Sequence, residues 1–182
     1  YGRLLLGEVL TYTWDLEARW QAESERRRLD VGDGRVLVDL QATVPADPSV
    51  VWAHLTAPAL RSRWEGPLAI EETSPAGRRG VGTVSQCITD RLATIEEIVD
   101  WHPYDHIGRR VAVPALGPVV VTTDLEIVAG GTRILLRWLH QGEEIPDEPA
   151  VERLGRERAL AFERLTRVIA SDLPVLGPVG AG

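Results

Sequence analysis

Acid–base chemistry in a pocket needs a carboxylate or imidazole beside a group that can hold developing negative charge. Glu97 and Arg110 offer such a pair, because a turn at His102-Pro103-Tyr104-Asp105 sets them directly opposite one another on neighbouring strands. Facing inward, they would form a polar pole in an apolar cavity, with Glu97 or His140 moving protons and Arg110 orienting a carbonyl or stabilising an enolate. Facing outward, they are a surface ion pair, and charged side chains are seldom buried. The remaining candidates for a pocket wall are Trp64, Gln86, Trp101, Thr123, Trp138 and His140. The tryptophans bring large rings with one N–H each, suited to a flat or aliphatic ligand.

Other chemistry is weaker. His102, Asp105 and His106 lie close in sequence, but Pro103 breaks any helix and their spacing fits a hairpin loop better than a ligand set, so no metal is expected. Cys87 has no activating neighbour on its strand face and reads as a small hydrophobe. His54 reads as a packing residue, as does Trp52. Gly80-Val81-Gly82 is not a phosphate loop, since no Gly-Lys-Ser/Thr follows.

Strands and two kinds of helix must position these groups. Residues 35–44 alternate apolar and polar like a strand. Asp47 and Pro48 open a short helix, with Asp47 as N-cap and Pro48 at the first helical position. Residues 57–64 form a second short helix, broken by Gly66-Pro67. Strands are expected at 68–72, 80–89, 92–101, 106–113, 118–128 and 132–140. Gly130-Gly131 is a two-residue hairpin signal that would place Asp124 opposite Arg137, Thr123 opposite Trp138 and Val121 opposite His140. The apolar face of that hairpin is then Val119, Val121, Thr123, Leu125, Ile127, Ile134, Leu136, Trp138 and His140. In the middle strands, the face of Val84, Gln86, Ile95, Glu97, Trp101 and Arg110 is expected inward. That choice rests on an even loop at Pro114–Gly117, and one bulge or an odd loop inverts it. A long helix at 150–173 carries an apolar stripe of Val151, Leu154, Ala161, Phe162, Leu165, Val168 and Ile169.

Composition excludes several classes. A chain of 182 residues suffices for one domain with a core. Its formal charge of -7 argues against nucleic acid as a partner. The 20 basic residues are all Arg, which removes Schiff-base, pyridoxal and P-loop lysine chemistry, so no cofactor is expected. One Cys rules out an internal disulfide. No apolar run reaches membrane-spanning length and residues 1–20 lack a signal-peptide pattern, so a cytoplasmic location is expected. The chain has no Met, which suggests a piece of a longer protein. Leu16 and Trp20, followed by a charged run to Arg28, suggest an N-terminal helix in a linker or arm.

The order of elements, the run Val44-Pro45-Ala46-Asp47-Pro48-Ser49-Val50-Val51-Trp52, the later Trp64, Gly80-Val81-Gly82-Thr83 and Glu96–Pro103 together resemble the START-like (SRPBCC) superfamily. That group includes polyketide cyclases/aromatases, plant pathogenesis-related allergens and lipid-transfer domains. The run 80–104 also resembles an accessory module found beside bacterial class III nucleotide cyclases. The resemblance implies an α+β helix-grip fold: a curved seven-stranded antiparallel sheet around a long C-terminal helix, two short helices after the first strand, an added N-terminal helix, and a cavity between sheet and helix. The expected division is an arm at 1–33, a START-like domain at 34–173 and a loose tail at 174–182.

Function follows only in outline, because one fold hosts many activities. The first expectation is a non-catalytic module that binds a small hydrophobic or aromatic molecule, as an accessory part of a larger protein contacted through the N-terminal helix. The alternative is a cyclase/aromatase- or dehydratase-type enzyme. A third is an interaction domain with a vestigial cavity.

Overall fold

The computed structural model describes residues 34–66, 69–74, 77–88, 93–113 and 116–173. Two compact units divide the chain, Tyr1–Asp30 and Val31–Gly182, and every described residue belongs to the second. The expected N-terminal helix and the loose tail fall outside the described residues.

Among the described residues ten elements follow one another: β1 (Arg35–Val44), α1 (Pro48–Thr56), α2 (Pro58–Glu65), β2 (Ala69–Thr73), β3 (Val84–Ile88), β4 (Ala93–His102), β5 (His106–Val113), β6 (Gly117–Val128), β7 (Gly131–His140) and α3 (Glu148–Asp172). The strands form one antiparallel sheet in the order β1-β7-β6-β5-β4-β3-β2. This is the helix-grip α+β arrangement. The chain runs from one sheet edge, through α1 and α2, to the other edge, and then returns strand by strand.

Local chemistry explains the helix ends. Asp47 is extended and its carbonyl accepts from Val50 and Val51, but its side chain makes no capping bond. Asp147 does cap α3, accepting from the Ala150 N–H at 3.2 Å, with Pro149 in the first turn. Gly66 closes α2 with φ of 84°. The last turn of α1 leaves carbonyls without helical partners. Trp64 Nε1 donates to the His54 carbonyl at 2.9 Å, and Arg109 Nη2 donates to that of Leu55 at 2.5 Å. Sheet and second helix therefore both finish the first helix.

The core lies between the sheet and α3, which turns Leu154, Ala161, Phe162, Leu165 and Ile169 inward. Each of the Leu, Ile and Phe side chains contributes roughly 1.5–3 kcal/mol by leaving water. Helix α3 packs against α2, β1 and α1. At its C-terminal end, Asp172 accepts from Arg63 at 2.5 and 2.9 Å and pairs with His54 Nε2 at 3.0 Å. One carboxylate thus ties both short helices to the long one.

Two registers differ from expectation. In the β6–β7 hairpin, Val128 pairs with Gly131, so Thr123 faces Leu136, Val121 faces Trp138 and Val119 faces His140. The slip is two residues, which preserves the faces. Gly131 is in the strand at φ 146°, a place only glycine fits, since a Cβ there would sit 2.0 Å from the Val44 carbonyl oxygen. The turn therefore falls one residue earlier, on Ala129 and Gly130. Asp124 accordingly reaches Arg137 diagonally at 3.3 Å, while Glu126 pairs directly with Arg133 at 3.0 Å.

The second difference inverts a face. Val113 pairs with Gly117, an odd three-residue connection, so odd-numbered residues of β5 share the inner side with Thr123. Thr83, Ser85, Cys87, Ile98, Ile107, Arg109 and Val111 are buried there. Glu97 and Arg110 do oppose each other, and they bond at 3.1 Å, but on the outer face, where their side chains are 42% and 56% exposed. Gln86 is exposed beside them. A bulge at Val99 then restores the original parity farther along, so Trp101 pairs with Ile107 and packs edge-on against Trp52, centroids 4.8 Å apart.

Candidate ligand-binding site

A small cavity of about 30 Å³ sits between α2, α3 and the inner face of β4–β7. Its apolar wall is Trp64, Val111, Val121, Leu136, Trp138, Ala161 and Phe162. Its polar wall is Glu65, Glu96, Arg109 and Arg158. That volume holds one or two waters, since one water needs roughly 10–15 Å³ on this measure.

The polar wall is a network centred on Arg61, which is 2% exposed. Its Nη2 donates to Glu65 and Glu96, both at 2.7 Å, and its Nε donates to Glu65 at 3.2 Å. Burial works against the Arg61 charge, but Glu65 and Glu96 outweigh it and hold the guanidinium above its ordinary pKa. Burial likewise opposes the Glu96 charge, yet Arg61 and Arg109 keep its carboxyl below the ordinary value. Arg109 is brought down to about 10 by burial and by the like charge of Arg61, so it remains a cation at neutral pH. Cys87 is pushed up to about 12 by burial and by Glu96, which leaves it a thiol.

Glu65, Cys87 and Glu96 bring their ligating atoms within 4.8 Å of one another. The Arg61 guanidinium bridges both carboxylates, so the anionic centre of that cluster already has its cation. His102 and His106 lie on the other sheet face. There His102 Nε2 meets Asp100 at 2.9 Å, and His106 Nδ1 meets Asp124 at 2.7 Å.

Arg158 is held differently. It reaches over Trp138 from α3, with Cζ 5.2 Å from the ring centroid, a cation–π contact. Its buried Nε has no hydrogen-bond partner among the described residues, and neither has Trp138 Nε1.

The family model described as polyketide cyclase / dehydrase and lipid transport matches residues 35–170. The chain belongs to that family. Structures of the same fold include protein MLL2253 from Mesorhizobium loti, at 19% identity and TM-score 0.65, covering 77% of this chain and all of that one. CalU16 from Micromonospora echinospora is similar at 18% identity and TM-score 0.59, covering 78% and 80%. DynU16, described as a putative protein in the dynemicin biosynthetic locus, is similar at 20% identity and TM-score 0.61 over 75% of this chain, which spans about half of DynU16. A search of curated proteins returns no match.

Within this polyketide cyclase/dehydrase-type fold, Trp64 and Trp138 line the cavity. Thr123 and His140 are buried on the same inner face but outside the lining, and Trp101 packs on Trp52. Gln86, Glu97 and Arg110 point away. The polar wall is not legible in the sequence, because an even loop at 114–117 would turn Glu96 and Arg109 outward. Arg61 and Arg158 gave no signal of their own. An Arg one helical turn from Glu65 is ordinary on any surface helix.

Proposed function

We propose that this domain binds a small apolar or aromatic molecule in the helix-grip cavity without transforming it. The observation that carries the reading is the cavity wall itself: aromatic rings from α2, α3 and β7 face a charged cluster whose two carboxylates are already paired with Arg61. A general acid or base works best with a pKa near the working pH. Glu96 is held too acidic and Cys87 too basic for that role. The volume of 30 Å³ requires a ligand larger than two waters to displace a side chain, and Arg158, whose buried Nε has no partner among the described residues, is the candidate to move.

Calorimetric titration with 2-naphthamide tests the reading. Binding should be lost in Ala161→Phe, which fills the cavity, and strengthened in Phe162→Ala, which enlarges it. Circular dichroism would check that both variants fold. Equal affinity in all three proteins, or no binding in any, would contradict it.

A cyclase- or dehydratase-type reaction is the second reading. Glu96 beside Arg109 favours it, as a carboxylate and a guanidinium on one wall. The version built on Glu97 and Arg110 has no geometric support, since both lie outside. An accessory role in a larger protein, a cytoplasmic location and a neighbouring domain met through residues 1–33 belong to the first reading. The acidic charge of -7 supports a partner other than nucleic acid. Among the described residues no helix is long and apolar enough to cross a membrane.

A further inference from the structure

The charged cluster at the cavity, with Arg61 behind the wall, carries more positive than negative charge, and the unmet groups of the wall among the described residues are all donors. Arg61, Arg109 and Arg158 stand against Glu65 and Glu96, three cations against two carboxylates, in a chain whose overall formal charge is -7. Arg61 is consumed by the two carboxylates, and Arg109 spends a hydrogen on the Leu55 carbonyl. The excess is shared by Arg109 and Arg158, and of the two only Arg158 has a buried Nε with no partner among the described residues. Beside it, Trp138 is 8% exposed and its Nε1–H has no acceptor among the described residues. An indole and a guanidinium donate only, so a second donor cannot satisfy them. An acceptor can, and an anionic acceptor best, because hydrogen bonds between charged groups are the strong ones.

We infer that the ligand carries a carboxylate, seated between Arg158 and Trp138 Nε1, with its apolar body against Trp64 and Phe162. This rests on the cavity-binding reading and adds the chemical class of the ligand. The free room suits a carboxylate group. A ring follows only when the Arg158 side chain leaves the Trp138 face and pairs with the incoming acid. Cationic ligands are disfavoured, because Arg109 and Arg158 face the cavity while the two carboxylates are engaged by Arg61.

The test compares three probes of one shape by calorimetry: 2-naphthoate, 2-naphthamide and 2-naphthylmethylamine. The acid should bind about tenfold more tightly than the amide, the scale of a charge-assisted hydrogen bond, and the amine least. Arg158→Gln should reduce the acid to the level of the amide. Trp138→Phe, which keeps a ring and removes the N–H, should weaken the acid by about fivefold and the amide, a neutral acceptor, by less. If acid and amide bind alike, or the amine binds best, the carboxylate inference is overturned while the cavity remains a binding site. An acid preference untouched by Arg158→Gln overturns the seat. If no probe binds, the cavity reading itself fails.

Discussion

Arg61 is almost inaccessible and yet fully charged, which is tolerable only because two carboxylates meet it at 2.7 Å. Removing one partner of a buried pair strands the other. Glu96→Gln should therefore cost about 3 kcal/mol of stability in urea denaturation. Glu97→Gln, one residue along and facing water, should change it by at most about 1 kcal/mol and leave probe binding intact. Cys87 gives a pH-dependent counterpart. Its folded pKa near 12 lies above the ordinary 9.0, so its contribution is complete below pH 9 and fades as pH rises toward 12. At pH 8 the native protein should resist iodoacetamide and react once unfolded in urea, as followed by mass spectrometry. Rapid native alkylation would mean that the thiol is neither buried nor beside Glu96.

At the scale of elements, the three helices depend on one another through few side chains. Asp172 gathers Arg63 and His54, and these contacts hold its carboxyl below the ordinary 3.8. A depressed folded pKa contributes stability above the unfolded value and loses it as pH falls through the folded one. Asp172→Asn should thus lower the melting temperature at pH 6 and flatten the decline seen in the wild type below pH 4. A decline of unchanged steepness would show that the α1–α2–α3 tie is not an acid-sensitive joint. Leu165, wholly buried on α3, should cost about 2–5 kcal/mol when cut to Ala. Gly131→Ala places a methyl against the Val44 carbonyl and should destabilise the β1–β7 pairing, visible as faster amide exchange in those two strands. The elements themselves were largely legible in sequence, because period-2 alternation in β1, β6 and β7 and the apolar stripe of α3 carry a direct physical signal. Strand faces were legible where a glycine turn fixed parity. They were not legible across the connection of β5 to β6, where an odd three-residue loop, invisible in composition, turned Glu97 and Arg110 outward and Glu96 and Arg109 inward.

At the scale of the whole molecule, the helix-grip plan brings charge from distant parts of the chain to one wall: Arg61 and Glu65 from α2, Glu96 and Arg109 from the sheet, Arg158 from the last helix. No local motif encodes that convergence, so the container could be read from sequence while its polar end could not. The family places the chain among proteins of this fold, and the wall suggests what the cavity holds. The central claim is that a ligand occupies the space between α2, α3 and the sheet. It is tested most directly by the indole N–H signals of the six tryptophans in a nitrogen-15 correlation spectrum during titration with 2-naphthoate. The account expects the Trp138 signal, identified by its loss in Trp138→Phe, to shift progressively and saturate together with that of Trp64. A Trp138 signal that stays fixed at saturating probe would contradict it.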